Sequence, residues 1–200
     1  MKLCLNATSP YARVVRIVAS EKNLTDSVSL HWCDPWVDDP ALLAVNPLGR
    51  VPALVTDDGV TLTEALLIAQ YLDSQGPAPS LIPKDRQAEV LALAGLGQGL
   101  MEAAFNSVIA RKHQGQEADD SLLGQRRQAA IRRTLEALET QQREQQEQSA
   151  LTLGDIVVAV ALDYLAFRLP ELAWQQQHPS LAQWHQGLIN RESFQATTFS

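Results

Sequence analysis

From Asn46 to Leu54 the chain reads Asn-Pro-Leu-Gly-Arg-Val-Pro-Ala-Leu, a tight turn that delivers a valine-proline pair to the start of an apolar run. A cis Val51-Pro52 bond at that position would turn the Val51 N–H and C=O away from their own sheet and toward an incoming extended peptide. A trans proline opening a strand fits the same residues, since most X-Pro bonds are trans. Arg50, immediately before the pair, can meet a ligand carboxylate with a fork of N–H donors.

Two helix starts flank this turn. Thr8-Ser9-Pro10-Tyr11-Ala12-Arg13 follows an apolar strand from Lys2 to Asn6 and leads into Val14, Val15, Ile17 and Val18 at helical spacing. Ser9 is therefore an N-cap candidate, with Pro10 at the first helical position. Downstream, Thr63-Glu64-Ala65-Leu66-Leu67 opens a helix with an acid in its first turn, where a carboxylate favours the positive end of the helix dipole. Further along, Thr152-Leu153-Gly154-Asp155 precedes the apolar run from Ile156 to Leu162 with the spacing of a capping box.

With these four motifs in this order, the chain resembles the soluble glutathione transferases, as a bacterial member of the serine-using type, over essentially all of its 200 residues. The resemblance implies a thioredoxin-like α/β domain at the N-terminus and an all-α helical domain at the C-terminus. The coarse secondary structure agrees. Strands are expected near 2–6, 27–32, 53–56 and 60–62, helices near 10–23 and from 64, and a loop up to 47. Asp57-Asp58-Gly59 between two apolar stretches is a hairpin signal. The composition changes at Gly76-Pro77-Ala78-Pro79-Ser80, so the expected division is 1–77 for the first domain, 78–84 for the linker and 85–200 for the helical domain. Helices are expected there near 85–113, 120–147, 153–168 and 179–190, with a solvated helix end in the Gln-rich stretch 141–148.

The composition excludes several classes. Sixteen basic against 23 acidic residues give a net charge of −7 with no basic face, which argues against nucleic acid and anionic membrane as partners. Cys4 and Cys33 stand apart without a Cys-x-x-Cys spacing, and the four histidines show no metal spacing, so no metal is expected. No apolar run approaches the length of a membrane span and no signal-like segment opens the chain, which points to the cytoplasm. Cys4 is expected to be buried and inert, and Cys33, whose position leaves exposure open, lacks the helix start that would activate it.

What the resemblance implies for chemistry begins at Ser9. A serine hydroxyl is no base near neutral pH, but it can donate to an anionic sulfur held at a helix N-terminus, where the dipole and unpaired N–H groups add to it. A thiol of pKa about 8.5 becomes mostly thiolate at neutral pH when lowered by about two units, which takes about 2.7 kcal/mol. Thr8 is the second candidate for that donor. Val51 and Pro52 would pair with the cysteinyl backbone of glutathione, Arg50 would lie near a carboxylate, and Glu64 would hold the γ-glutamyl amine. The family commonly has serine after that acid, whereas this chain has Ala65, whose N–H still donates at the helix start.

The second substrate, a small hydrophobic electrophile, would lie against the helical domain, where Gln98, Gly99, Glu102, Phe105 and Asn106 recur at helical spacing, with Trp36 as a pocket wall. A solvated helix face explains the same stripe. The implied function is glutathione transfer in detoxification by a homodimer. The alternative is an interaction or regulatory protein that keeps the fold without catalysis, which the alanine at position 65 favours.

Overall fold

Strand β1 (Lys2–Leu5) carries Leu3, Cys4 and Leu5 without a polar break, and all three are fully buried, as a strand covered on both faces requires. The computed structural model describes residues 1–144 and 150–199, so the stretch 141–148 and the helix end expected at 147 lie partly outside the described residues. β1 pairs in parallel with β2 (Ser29–Trp32) and antiparallel with β3 (Ala53–Val55), which pairs with β4 (Thr61–Thr63). The sheet order is β2-β1-β3-β4. The β3–β4 hairpin turns at Asp57-Asp58-Gly59 as expected, with Gly59 at φ 83° and the Thr56 N–H donating to the Val60 carbonyl at 2.9 Å.

Helix α1 (Pro10–Glu21) crosses between β1 and β2 and packs on α3 (Ala65–Gln75). The helix α2 (Pro40–Leu43) lies within the stretch read from sequence as loop, capped by the Asp39 carboxylate on the Ala41 N–H at 2.9 Å. A single turn is too short to show helical periodicity. Side chains alternate across the sheet, so Leu3, Leu5 and Leu54 face one way while Cys4 and Ala53 face the other, where Leu42 of α2 and Cys33 cover them. The β-α-β unit followed by a hairpin and a helix is a thioredoxin-like arrangement.

By contacts the chain divides into two units, Met1–Gln87 with Glu192–Ser200, and Ala88–Arg191. In the first unit the stretch after α3 is tied down by Lys22, whose ammonium donates to the carbonyls of Ala78 at 2.5 Å and Pro79 at 2.9 Å and lies 3.2 Å from the Asp73 carboxylate. Helix α9 (Glu192–Gln195), near the end of the chain, also belongs to this unit, against α1.

The second unit is helical: α4 (Gln87–Gln114, its first residue shared with the first unit), α5 (Leu122–Glu144), α6 (Leu153–Arg168), α7 (Trp174–Gln177) and α8 (Pro179–Ile189). Its centre is α6, fully buried from Ile156 to Leu162. The expected capping box is present: the Thr152 hydroxyl accepts from the Asp155 N–H at 3.3 Å, and the Asp155 carboxylate accepts from the Thr152 N–H at 2.8 Å. Gly97 lets α4 approach α6, since a Cβ there would stand 2.8 Å from the Val158 nitrogen. Glu139 of α5 accepts from the Leu181 N–H at 2.8 Å and so satisfies the start of α8 from another helix.

Candidate functional site

The register of the sheet decides what comes together. Cys4 faces Ala53 on β3, and Ala53 faces Thr63 on β4. The loop after β1, the Val51-Pro52 pair before β3 and Glu64 after β4 therefore leave the sheet at the same end. Ser9, Arg50, Val51, Pro52, Glu64 and Ala65 are all brought to that edge.

Ser9 takes extended backbone angles and caps α1, its Oγ accepting from the Ala12 N–H at 3.2 Å. Pro10 follows at the first helical position. A capping hydroxyl that accepts from the backbone keeps its own proton to donate, and among the described residues that proton has no acceptor. Thr8 differs. Its hydroxyl donates to Asn6 Oδ1 at 2.8 Å and its N–H donates to the same oxygen at 2.9 Å. Asn6 thus occupies the Thr8 proton and leaves Ser9 as the hydroxyl with a donor to spare.

The turn before Val51 is built around Asn46, which is buried. Its Oδ1 accepts from the Leu48 N–H at 3.1 Å, its carbonyl accepts from the Gly49 N–H at 2.9 Å, and its Nδ2 donates to the Arg50 carbonyl at 2.7 Å. Gly49 sits at φ 61°, where a side chain is disfavoured. The Val51-Pro52 bond is cis. Val51 stands outside β3, whose pairing with β1 reaches only to Ala53, and its side chain packs against Cys4, Cys33, Leu42 and Ala53. The roles of Asn6 and Asn46 were not read from the sequence, although asparagine two residues before a turn N–H is a recognisable Asx signal.

Glu64 corrects one expectation. It is the N-cap of α3 rather than a first-turn residue, at φ 65° and ψ 120°, and its side chain makes no capping hydrogen bond. A non-glycine residue with positive φ costs on the order of 1–3 kcal/mol and persists only where its surroundings enforce it. The carboxylate instead reaches the Arg50 guanidinium, and both side chains are exposed. The leading N–H groups of α3, beginning at the buried Ala65, are thus left without an acceptor from Glu64.

Cys33 is not the exposed thiol that the sequence left open. It is 6% exposed, not open to solvent, and burial first, with the neighbouring Cys4 thiol, pushes its pKa up to about 11. The thiol is therefore protonated at neutral pH and a poor nucleophile. Cys4 is buried, as expected.

The remaining candidates are distributed over both units. Trp36 is exposed in the loop between β2 and α2, its N–H donating to Asp34 Oδ1 at 2.9 Å. Gln98 and Glu102 lie one turn apart on α4 and are joined by a hydrogen bond of 3.1 Å, with Phe105 half-buried on the next turn. Among the described residues no group of three or more His, Cys, Asp or Glu is arranged to hold a metal ion, and no helix is long and apolar enough to cross a membrane.

Residues 8–75 match the family model described as Glutathione S-transferase, N-terminal domain, and residues 116–187 match the corresponding C-terminal domain. The uncharacterized GST-like protein YibF of Escherichia coli (strain K12) is 32% identical over 201 residues, spanning 98% of each chain. This chain belongs to the glutathione S-transferase family. Among solved structures, a glutathione S-transferase from Methylobacillus flagellatus KT, with GSH bound, is similar at a TM-score of 0.89 and 31% identity, over 100% of this chain and 99% of that one. A glutathione transferase family member from Pseudomonas fluorescens Pf-5, with bound glutathione, is similar at a TM-score of 0.86 and 32% identity, over 100% of this chain and 98% of that one. The N-terminal glutathione S-transferase match takes in Thr8, Ser9, Trp36 and every candidate from Arg50 to Ala65, whereas Gln98, Glu102 and Phe105 fall between the two matched spans.

Proposed function

We propose that the chain is a glutathione transferase of the serine type, in which Ser9 stabilises the glutathione thiolate. The observation that carries this reading is the difference between the two hydroxyls. Thr8 spends its proton on Asn6, while Ser9 caps α1 as an acceptor and keeps its proton for a sulfur at the helix N-terminus. A charge-assisted hydrogen bond and the helix end together supply the stabilisation of about 2.7 kcal/mol that a two-unit lowering of the thiol pKa takes.

The rest of the edge suits a γ-glutamyl tripeptide. The Val51 backbone, outside the ladder, pairs with the cysteinyl backbone. The leading N–H groups of α3 receive the γ-glutamyl carboxylate, Glu64 receives the ammonium, and Arg50 faces a carboxylate. The thiolate sulfur then attacks an electrophilic carbon: the S–C bond forms, and the electron pair leaves with the departing group or moves onto a conjugated acceptor that is then protonated. No covalent enzyme intermediate is needed, because the nucleophile belongs to the cosubstrate. The glutathione-bound relatives support this choice of cosubstrate. With the reading go a small hydrophobic electrophile, a detoxifying role, a homodimer and the cytoplasm, each carried over from the family.

Ala65 favours a second reading, a protein that keeps the fold as an interaction module and has lost useful glutathione affinity. Calorimetric titration with reduced glutathione separates the two. Saturable binding at millimolar concentration or tighter is expected. Absence of heat at several millimolar would favour the interaction module.

A further inference from the structure

Asn46 is 2% exposed, and its polar groups are all engaged by neighbouring backbone. Its N–H donates to the Leu42 carbonyl at 2.8 Å, which ties it to the end of α2, and its carbonyl accepts from the Gly49 N–H at 2.9 Å. Oδ1 accepts from the Leu48 N–H at 3.1 Å, and Nδ2 donates to the Arg50 carbonyl at 2.7 Å. A backbone N–H on one side and a carbonyl on the other fix which way round the side-chain amide sits.

These bonds are of two kinds. A tight turn uses the Gly49 bond, and an Asx turn uses an oxygen for the Leu48 N–H, which aspartate offers as well as asparagine. The donor on Nδ2 is what asparagine adds at the same size, and it is directed at one atom, the carbonyl oxygen of Arg50. The Arg50-Val51 peptide is trans, so its C=O and N–H point in opposite directions. Holding the carbonyl on Asn46 therefore turns the Val51 N–H outward from the turn, and among the described residues that N–H has no acceptor. The Val51 side chain is meanwhile seated against Cys4, Cys33, Leu42 and Ala53. With the carbonyl bonded and the side chain packed, the peptide plane between Arg50 and Val51 is held on both sides.

We propose that Asn46 is a positioning residue for the ligand peptide: its side-chain amide aims the Val51 N–H at the cysteinyl carbonyl of glutathione. Asn46 thereby governs how tightly the tripeptide binds, while Ser9 governs how readily its thiol ionises. The inference rests on the glutathione-binding reading above. Asn46 touches no ligand atom and acts through one peptide plane, whose donor is aligned before the ligand arrives.

The test compares full-length wild type, Asn46→Asp and Asn46→Ala, with S-methylglutathione as the probe, because a methylated sulfur separates peptide binding from thiol ionisation. Asn46→Asp keeps an oxygen for the Leu48 N–H and sets an acceptor against the Arg50 carbonyl. It is expected to weaken binding about tenfold by calorimetry, and Asn46→Ala by a similar factor. In amide NMR spectra of isotope-labelled wild type, saturation with the probe should shift the Val51 amide and protect it from hydrogen exchange. In Asn46→Asp at saturation that response should be lost, while the amide shifts of Ser9 and Ala65 remain. With glutathione as ligand, the bound-thiol pKa should equal the wild-type value in both variants. If Asn46→Asp does not fold, Asn46→Ala and the wild-type Val51 response decide. Weakened binding with the Val51 response intact at saturation would reduce Asn46 to a builder of the turn and overturns the proposal alone. So does wild-type affinity in a folded variant, or a wild-type Val51 amide that ignores bound probe. A wild type that binds neither glutathione nor the probe at several millimolar overturns the glutathione-binding reading and this inference with it.

Discussion

The Lys22 ammonium, at the end of α1, lies 3.2 Å from the Asp73 carboxylate of α3 with its side chain 1% exposed. Asp73 also accepts from the Ser80 hydroxyl at 2.6 Å and the Leu81 N–H at 2.8 Å. Burial works against the charge of Asp73, but Ser80, Leu81 and Lys22 together hold its pKa below the usual carboxylate value. A proline-rich stretch that composition marks as a linker is thereby an anchored part of the first unit.

Lys22→Met should cost on the order of 3 kcal/mol, because it strands a carboxylate and two carbonyls in a buried place. The pH dependence has a definite sign. Asp73 binds its proton less readily folded than unfolded, so its contribution is complete above about pH 4 and is lost as pH falls through the lower folded value. Denaturant melts across this range should show a shallower acid loss in Asp73→Asn than in wild type. An equally steep loss would remove Asp73 from the account.

Thr152 and Asp155 cap a buried helix of the second unit. Asp155→Ala should lower stability by about 0.5–2 kcal/mol while leaving the glutathione dissociation constant nearly unchanged. Melts with and without glutathione measure both quantities. Lost binding at unchanged stability would mean that Asp155 serves the ligand instead.

Ala65 is the first residue of α3, behind a Glu64 whose carboxylate is turned to Arg50. Ala65→Ser should add one hydrogen bond to the ligand carboxylate, about 1.5 kcal/mol with a charged partner, and tighten glutathione binding roughly tenfold. Calorimetry on both forms checks this. Equal affinities would remove the carboxylate from that helix start.

Local signals were legible in the sequence and distant ones were not. Ser9 with Pro10, the Asp57-Asp58-Gly59 turn and the Thr152–Asp155 box each act within a few residues, and each appears where the pattern put it. The positive φ of Glu64 was hidden, because nothing in a glutamate before alanine announces an unusual backbone. Burial of Cys33 depends on Leu42 of a one-turn helix too short for periodicity to reveal. Lys22 at a helix end reads as a solvated charge until Ala78 and Pro79 close over it. The hold of Phe194 and Thr197 on Arg13 spans most of the chain and has no local signature.

The central claim is that Ser9, with a proton Thr8 does not have to give, stabilises the glutathione thiolate at the start of α1. Its most direct test is the ultraviolet titration of enzyme-bound glutathione in wild type and Ser9→Ala. The account predicts a bound-thiol pKa well below that of free glutathione in wild type, and a rise of about 1–2 units in the variant. Wild-type thiolate absorbance retained by Ser9→Ala at neutral pH would contradict it.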